Sequence, residues 1–596
     1  MKNTKVGIAF GEHIKTERLS RYSNSERRNA SNPKVRGFLF PLALLLVFGI
    51  IVIKLITLQL FQGSYYKTLS NTNRTLTTII HAPRGIIFDR HKAPLVYNIP
   101  GFRITTHGKT QFLSQEEALP LLAANNKSLE IDTLRQYPYS DAFAHVLGYL
   151  GEISQDELAN PLYTNYQSGD VIGQMGIEQQ YEQILKGTDG KKLSEVDATG
   201  KITRTLGQTD PIAGQDITLT LDEKLQLAVY NAMSSIQKGA VIVSTPQGEI
   251  LALVSKPTFD PNLFTLGKSY KTASSSSYQS VSEVLLDGQN QPLLNRAISG
   301  VYPPGSTFKI VNASAGLEDN VINQDFTITD TGTITIGAFS FSNWYYTQYG
   351  RTDGSVNVVK AIQRSNDIFF YKLADLIGVD RLSQFAQKFG LGSQLGIDLP
   401  GEASGLVPTK EWKLSVLHEP WYLGDTYHYG IGQGFLLTTP LQVNTLTQVI
   451  ANGGNLYRPH LLLGKNANKY KVTNKQIIAE KNIDLIREGM IDVCSPGGVA
   501  YPLFNYQVKN PKLTIDNINI MSVASASADF RHIALACKTG TAQQGGISEN
   551  PHAWITLFAP AYKPQIVVTV LSEASGEGSD IAAPVAKKIL DYWFTR

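Results

Sequence analysis

The sequence has few cysteines and few charged residues for its length, and it shows no regular repeat. Two cysteines among 596 residues cannot build a disulfide framework, and a chain this long can bury a large core without one. The 50 glycines and 27 prolines are not periodic, which excludes collagen-like and simple repeat architectures. Charged residues make up only 17%, but an apolar content of 42% excludes a disordered chain.

The net charge is small and unevenly distributed. The formal charge is +4, yet residues 1–36 alone hold nine Lys or Arg and three Glu. The main body is therefore close to neutral and has no field that would attract nucleic acid. We expect no nucleic-acid partner, and we interpret residues 1–36 as a basic tail.

One long apolar run follows the tail. Residues 37–53 contain no charge, Lys54 interrupts, and the run continues to Phe61. A helix over 37–60 would span about 36 Å, enough to cross a hydrocarbon core of about 30 Å. A cleaved signal peptide usually has a shorter apolar segment, and a buried globular helix is rarely apolar on every face.

We therefore predict an uncleaved single-pass membrane helix over 37–60. Basic residues remain on the cytoplasmic side, which predicts a cytoplasmic tail and an external body from residue 61. No second apolar run of comparable length follows. In an external, oxidising compartment Cys494 and Cys537 are free to form one bridge, but the sequence alone does not show whether their Cβ atoms approach.

The external part divides near residue 225. Residues 61–225 contain short mixed elements separated by turns with Pro and Gly, an extended and modular pattern. Residues 226–596 have β-rich runs at both ends and an amphipathic helix over 581–594. The β-rich runs are 239–245 and 249–255, which predict a hairpin, and 553–558 and 565–571. Strands at both ends with helices between them predict an α+β domain whose ends share one sheet.

A hydroxyl and an amine lie one helical turn apart at Ser306 and Lys309. Pro303-Pro304-Gly305 ends one segment, and the apolar spacing that follows predicts a helix through Leu317. Residues i and i+3 share a helix face, so Lys309 lies beside Ser306. A buried lysine has a lowered pKa and can act as the base that activates a serine. The same spacing recurs by chance at Ser31/Lys34 and Ser235/Lys238.

A second hydroxyl, that of Ser365, opens the segment Ser365-Asn366-Asp367 just before an apolar run. Beside Ser306 and Lys309, this hydroxyl would relay a proton to a leaving group. The alternative is structural, because Ser or Asp before an apolar run is a frequent helix N-cap. The two roles can coexist.

The chain has one Lys-Thr-Gly sequence, Lys538-Thr539-Gly540, which Thr541 follows. On a strand, Lys538 and Gly540 point to one face, and Thr539 and Thr541 point to the other. Glycine allows a substrate backbone to approach, and a cation with hydroxyls suits a substrate carboxylate. The N–H groups near Thr541 and Ser306 would form an oxyanion hole. Alone, the tripeptide would also fit a turn at a strand edge.

In this order the three motifs resemble those of the penicillin-binding proteins and serine β-lactamases. The chain resembles the class B penicillin-binding proteins over nearly its whole length beyond the tail. Within that class, two details resemble the cell-elongation type rather than the division type. The second motif ends in Asp367 and is followed by Phe369-Phe370, and the third motif continues as Thr541-Ala542-Gln543. Supporting runs are APRGIIFDR (82–90), GQMGIEQQY (173–181) and IGQGFLLTTPLQ (431–442).

The resemblance implies an architecture and a location. It implies an α+β fold with an N-terminal transmembrane helix, an extended pedestal (dimerisation-type) domain at 61–225, and a transpeptidase domain at 226–596 with an antiparallel sheet flanked by helices. The protein would lie in the cytoplasmic membrane of a bacterium, and its pedestal would contact a polytopic glycan polymerase of the elongation complex. Residues 61–225 show no acidic glycosyltransferase motif, so we expect a monofunctional enzyme.

The resemblance also implies the chemistry of a serine-type D,D-transpeptidase. Ser306 would attack the carbonyl between the terminal D-Ala residues of a peptidoglycan stem peptide carried by lipid-linked precursor glycan, and β-lactams would acylate the same hydroxyl. Lys309 would act as base and Ser365 would pass the proton to the departing D-Ala. The site residues it implies are Ser306, Lys309, Ser365, Asp367 and Lys538 as catalytic, and Thr539, Gly540 and Thr541 as substrate-binding.

Two positions depart from the family pattern. Cys537 stands where the family usually has Gly directly before Lys-Thr-Gly, which puts the close packing behind that strand in doubt. Some elongation-type members bind zinc with a Cys in the second motif, where this chain has Asn366, so we expect no metal and no cofactor. Residues 490–536 match the family poorly, and the sequence assigns them no role.

Four other functions remain open at this stage. A division-type transpeptidase would use the same chemistry. In a D,D-carboxypeptidase or a β-lactamase, water would replace the acceptor amine, although no Glu can be placed here as a deacylating base. A non-catalytic penicillin sensor or structural subunit would keep the fold, but such sensors usually carry further membrane spans.

Overall fold

The structure is a computed structural model that describes residues 33–106, 109–124, 129–197, 199, 201–267, 269–273, 276–464, 472–510, 530–543 and 549–596. The basic tail therefore lies outside the described residues, except for its last four positions. The chain separates into two units. The first comprises Met1–Thr78 and Leu193–Gly207, and the second comprises Ile79–Lys192 and Gln208–Arg596.

The described residues form α-helices and β-strands along the whole chain. The helices are α1 (Pro33–Ile56), α2 (Gly63–Arg74), α3 (Gln115–Ala123), α4 (Ala144–Leu147), α5 (Gln155–Leu158), α6 (Gly176–Gln180), α7 (Glu182–Leu185), α8 (Glu223–Ala232), α9 (Asn262–Thr265), α10 (Val281–Leu286), α11 (Lys309–Glu318), α12 (Trp344–Tyr349), α13 (Val358–Gln363), α14 (Asp367–Ile377), α15 (Val379–Lys388), α16 (Lys410–Leu417), α17 (Leu423–Gly430), α18 (Pro440–Ala451), α19 (Glu480–Val493) and α20 (Ala583–Thr595). The strands are β1 (Thr75–Ile80), β2 (Ile87–Phe88), β3 (Pro94–Thr106), β4 (Lys109–Leu113), β5 (Leu129–Gln136), β6 (Leu150–Glu152), β7 (Val171–Gly173), β8 (Gly190–Val196), β9 (Ile202–Thr209), β10 (Ile217–Leu219), β11 (Gly239–Ser244), β12 (Ile250–Lys256), β13 (Ile328–Thr329), β14 (Thr333–Ile336), β15 (Phe339–Ser342), β16 (Ser355–Val356), β17 (Leu456–Tyr457), β18 (Leu462–Leu463), β19 (Val472–Asn474), β20 (Gln507–Lys509), β21 (Phe530–His532), β22 (Ala536–Ala542), β23 (His552–Ala559) and β24 (Ile566–Ser572).

The first unit contains the apolar helix that the sequence predicts. Helix α1 continues into a π-helical turn, Thr57–Phe61. The segment Phe40–Phe61 has a mean hydropathy of 2.6 and is not buried against the rest of the chain. Its length and its exposed apolar surface fit a single-pass membrane anchor, because only a lipid environment would cover such a surface on every side.

The second unit contains a five-stranded antiparallel sheet in the order β12-β11-β24-β23-β22. The predicted hairpin is present as β11 and β12, and Val241 of β11 pairs with Val570 of β24. The prediction that the two ends of the α+β domain share one sheet is therefore confirmed. Among the described residues β22 pairs only with β23, so it is an edge strand of this sheet.

Helices cover this sheet. Helix α18 packs against β11, β23 and β24, and its Asn444 and Thr447 join a buried row of hydrogen bonds with the strand residues Ser244, Thr556 and Thr569. The C-terminal helix begins at residue 583 rather than at the predicted 581, because a π-helical turn, Gly578–Ala582, precedes it.

The pedestal region of the second unit has its own sheet. Strands β10, β2, β3 and β4 are neighbours in that order, β5 also pairs with β3, and β18 joins beside β10. Four charged side chains are buried together near this sheet. Arg84 contacts Glu178 and Glu182 at 2.8 Å each, and Arg135 contacts Glu178 at 2.7 Å. The Arg84–Glu178 pair joins two of the sequence runs that support the family resemblance, 82–90 and 173–181.

Candidate active site

Ser306 lies at the beginning of a buried helix. Gly305 and the next three residues form a 3-10 turn that leads directly into α11, so Ser306 precedes Lys309 by one turn as predicted. Gly305 has a φ of +54°, and a Cβ on it would lie 3.1 Å from the Thr541 carbonyl oxygen. Glycine is therefore needed both for the backbone conformation and for the close approach of β22. Ser306 is half-buried, and within the described residues its hydroxyl makes no hydrogen bond.

Lys309 is completely buried and contacts the second motif. Its Nζ lies 2.6 Å from Oδ1 of Asp367, 2.8 Å from the Ser365 carbonyl oxygen and 3.3 Å from the Ser365 Oγ. Burial lowers the pKa of Lys309, and the carboxylate of Asp367 opposes that shift. The result is an amine whose charged form is destabilised although it has an ionic partner.

Lys538 approaches the same hydroxyl from β22. Its Nζ lies 2.9 Å from the Ser365 Oγ and 2.9 Å from the Thr539 carbonyl oxygen. Burial and the positive charge of Lys309 together hold the pKa of Lys538 well below its ordinary value, and only Asp367 opposes them. The hydroxyl of Ser365 thus lies between two buried amines that share one carboxylate.

The backbone at Ser365 adopts an unusual conformation. Ser365 has a φ of +52°, in the left-handed region that non-glycine residues seldom occupy. Helix α14 begins at the next residue but one, and its N-cap is Asn366, whose side chain accepts a hydrogen bond from the Phe369 N–H at 2.9 Å. The alternative that Ser365 or Asp367 caps this helix is therefore wrong. Asn366 caps the helix, and the Ser365 hydroxyl remains available to the two lysines.

A polar network behind this loop was not predicted. The Asn366 amide donates to Asp330 at 2.9 Å and to Asp353 at 3.0 Å, and Asn343 donates to Asp330 at 2.9 Å and accepts from the Asp367 N–H at 3.2 Å. Each of these residues precedes or lies within a turn, and in sequence they look like turn residues. Within the described residues no group of three or more His, Cys, Asp or Glu is arranged to hold a metal. The expectation that no metal binds stays a prediction.

The third motif lies on the open edge of the sheet. A Cβ on Gly540 would lie 3.0 Å from the Pro304 carbonyl oxygen and 3.2 Å from Cγ2 of Thr307, so glycine allows β22 to pack against the turn that carries Ser306. Thr541 is exposed, and its Oγ1 lies 3.5 Å from the N–H of Gly578. Strand β22 therefore lies beside the turn that carries Ser306, while its Lys538 contacts Ser365. The catalytic and substrate-binding roles of these residues stay predictions.

The sequence left open whether the two cysteines form a bond, and the structure answers this. Cys494 and Cys537 form a disulfide, with Cα atoms 6.0 Å apart. Both residues are buried, and Cys537 directly precedes Lys538 in β22. The side chain of Cys537 is therefore covalently joined to Cys494, the residue that follows α19.

The arrangement is suited to acyl transfer. A half-buried serine lies one turn before a buried amine of lowered pKa, a second serine lies between that amine and another, and the exposed Thr541 lies on the adjacent strand. Such a site can activate a hydroxyl, pass a proton to a leaving amine and bind an anionic group.

Comparison with known proteins agrees with this geometry. Residues 238–591 match the family model of the penicillin binding protein transpeptidase domain, and residues 127–219 match that of the penicillin-binding protein dimerisation domain. A relative from Acinetobacter baumannii, named peptidoglycan D,D-transpeptidase MrdA, is 33% identical over 607 residues, which cover 90% of this chain and 84% of the relative.

Solved structures are similar as well. The crystal structure of penicillin-binding protein 2 from Pseudomonas aeruginosa in complex with WCK 5153 is 33% identical, with a TM-score of 0.65 over 87% of this chain and 96% of that one. A chain from a peptidoglycan synthase complex that coordinates polymerization and crosslinking is 27% identical, with a TM-score of 0.66 over 94% of this chain and 98% of that one. The chain therefore belongs to the class B penicillin-binding proteins, in the penicillin-binding protein 2 family whose curated members are named peptidoglycan D,D-transpeptidase MrdA.

Proposed function

We propose that the protein is a monofunctional peptidoglycan D,D-transpeptidase of the cell-elongation type, which cross-links stem peptides through an acyl-enzyme at Ser306. The observation that carries this proposal is the position of the Ser365 Oγ, 3.3 Å from Lys309 Nζ and 2.9 Å from Lys538 Nζ. This arrangement supports proton transfer from the attacking hydroxyl to the leaving amine within one cleft.

Acylation uses the first two motifs. The Ser306 Oγ attacks the carbonyl carbon between the two terminal D-Ala residues, and its proton moves to the neutral amine of Lys309. The tetrahedral intermediate then breaks its C–N bond. Ser365 delivers a proton to the departing D-Ala nitrogen and recovers one from a neighbouring lysine. The left-handed backbone at Ser365 supports this role, because strained residues are concentrated at functional sites.

The third motif binds the anionic parts of the reaction. The backbone N–H groups of Ser306 and Thr541 stabilise the oxyanion, since Gly305 brings these two segments together. Lys538, Thr539 and Thr541 hold the terminal carboxylate of the stem peptide, and the carboxylate of a β-lactam occupies the same place. Gly540 keeps the strand edge free of a side chain so that the substrate backbone can approach.

Deacylation completes the cross-link. The amine of a second stem peptide attacks the acyl-enzyme carbonyl, the ester bond to Ser306 breaks, and Ser306 regains its proton. The products are one cross-linked dimer and one free D-Ala for each pair of stems. The reaction needs no cofactor or metal, because every proton step has a side chain within the cleft.

The rest of the chain positions this chemistry at a membrane. We assign residues 1–36 to a cytoplasmic tail, 37–60 to the membrane helix, 61–225 to the pedestal and 226–596 to the transpeptidase domain. The catalytic domain then lies outside the cytoplasmic membrane of a bacterium, where peptidoglycan is assembled. Similarity to a chain of a peptidoglycan synthase complex supports a polytopic glycan polymerase as the partner of the pedestal.

The test is cross-linking by the full chain in detergent or vesicles. Uncross-linked, lipid-linked glycan with stems that end in D-Ala-D-Ala serves as donor, and products are separated by mass spectrometry. We expect stem dimers and free D-Ala from the wild type, neither from Ser306→Ala, and both from Ser235→Ala, which removes the serine of a chance Ser-x-x-Lys spacing. Trimmed monomers without dimers would instead indicate a D,D-carboxypeptidase, and dimers from Ser306→Ala would contradict the proposal.

A further inference from the structure

Helix α19 packs against three elements that carry or directly precede the catalytic motifs. It contacts α11, α13 and β22. At its beginning, Ala479 and Asn482 donate to Glu318, the last residue of α11, at 2.8 and 2.5 Å. In its middle, Gly489 allows close packing on α13, because a Cβ there would lie 2.8 Å from the Cβ of Ile362. Helix α13 ends just before Ser365. Helix α19 therefore supports α11, which carries Lys309, and α13, which leads into Ser365.

The disulfide extends this support to the third motif. Cys494 is the C-cap residue of α19, and Cys537 lies in β22 next to Lys538. Side chains alternate along a strand, so Cys537 leaves β22 on the side opposite to Lys538. In the part of the chain that the structure describes, β22 has a hydrogen-bonded strand neighbour on one edge only. The covalent bond fixes this edge strand to the helix, in addition to its ladder with β23.

We propose that the Cys494–Cys537 disulfide is a positioning element for catalysis, which fixes Lys538 at the distance from Ser365 that acylation requires. Neither cysteine touches the reacting atoms, so both act through Lys538. Misplacement of a catalytic group by about 1 Å can reduce a rate about 100-fold.

This inference rests on the proposed function, and the experiment separates the two. The first step is a thiol count on the full chain, purified from the membrane without reductant and alkylated in guanidinium. We expect no alkylated cysteine before reduction and two after it. Alkylation of both cysteines before reduction would overturn the inference.

The second step measures acylation by a fluorescent penicillin at saturating concentration. Two double variants remove the bond: Cys494→Ser with Cys537→Ser, and Cys494→Ala with Cys537→Gly. If one of them does not fold, the other still provides the test. We expect the limiting acylation rate of each to fall about 10- to 100-fold, measured well below the thermal midpoint. Leu185→Ala, which truncates a buried pedestal residue, is the control for lost stability and is expected to lower the midpoint without changing the rate.

The outcomes are distinct. A wild type that is not acylated contradicts the proposed function itself. A wild type that is acylated, with bond-free variants that keep its limiting rate and lose only thermal stability, leaves the function intact and overturns the positioning role. Loss of rate in both variants but not in Leu185→Ala supports the role.

Discussion

Two clusters of buried charge, one in the pedestal and one in the catalytic cleft, are built differently. The pedestal cluster pairs two arginines, Arg84 and Arg135, with two glutamates, Glu178 and Glu182. The cleft cluster contains two buried lysines, Lys309 and Lys538, and one carboxylate, that of Asp367, which pairs with Lys309. Each arginine of the first cluster has a carboxylate within 2.8 Å, whereas the two amines of the second must share one.

The pKa shifts follow from this difference in charge balance. In the pedestal, burial disfavours the charged forms, but the ion pairs outweigh it, so the pKa of Arg84 is raised and that of Glu178 is lowered. In the cleft, burial outweighs the shared carboxylate, so the pKa values of both lysines are lowered. A balanced cluster keeps its charges and supports the fold. In the unbalanced cluster the neutral form of each amine is more favoured than in an ordinary lysine, and the neutral form is the one that can accept a proton as a general base.

The largest effect is expected from removal of the cleft base. Lys309→Met should slow acylation by a fluorescent penicillin by about 10²- to 10⁴-fold, because general base catalysis contributes about that much. The matched control is Lys238→Met, which changes the lysine of a chance Ser-x-x-Lys spacing and should leave the rate unchanged. A Lys309→Met protein that is acylated at the wild-type rate would show that the cleft cluster is structural, like that of the pedestal.

Removal of a pedestal charge should lower the stability of the protein and leave its acylation rate unchanged. Arg84→Met leaves the buried carboxylate of Glu182 without its arginine and should reduce the free energy of unfolding by about 3–5 kcal/mol, measured by urea titration. The acylation rate per folded molecule should not change. Lys587→Met breaks an exposed pair with Asp591 and should cost less than about 1 kcal/mol. A slower acylation rate for correctly folded Arg84→Met would remove the distinction between the two clusters.

The smallest effect is expected in the pH dependence of the acylation rate. Asp367 raises the pKa of Lys309 against the effect of burial, so Asp367→Asn should lower that pKa further. Because the base acts in its unprotonated form, the acidic limb of the acylation rate should move to lower pH. The control is Asp375→Asn, which changes an exposed acid on the same helix and should leave the limb in place. A limb that moves to higher pH in Asp367→Asn would contradict the role of Lys309 as base.

The sequence predicted the parts of the fold that depend on local pattern. The membrane helix, the hairpin of β11 and β12 and the shared sheet follow from apolar runs and turns, which act over a few residues. The C-terminal helix was predicted two residues early because a π-helical turn leaves no sequence signal of its own. The convergence of Ser306, Ser365 and Lys538 was predicted from the family resemblance, since no periodicity connects segments so far apart.

The features that were missed depend on tertiary contacts. Asn366 rather than Ser365 or Asp367 caps α14, and all three residue types are good N-caps, so only the packed loop decides between them. The network of Asp330, Asn343 and Asp353 joins turns from separate segments and has no spacing of its own. The disulfide stayed open for the same reason, since the distance between Cys494 and Cys537 is fixed by the packing of α19 on β22.

The most direct test of the account is the site of the covalent adduct. The full chain is treated with benzylpenicillin, its intact mass is measured, and the adduct is located by peptide mapping. Because opening the β-lactam ring expels no leaving group, the account predicts a gain of one whole penicillin molecule, carried by Ser306. An adduct on Ser365 or on any other residue, or no adduct at all on the folded protein, would contradict it.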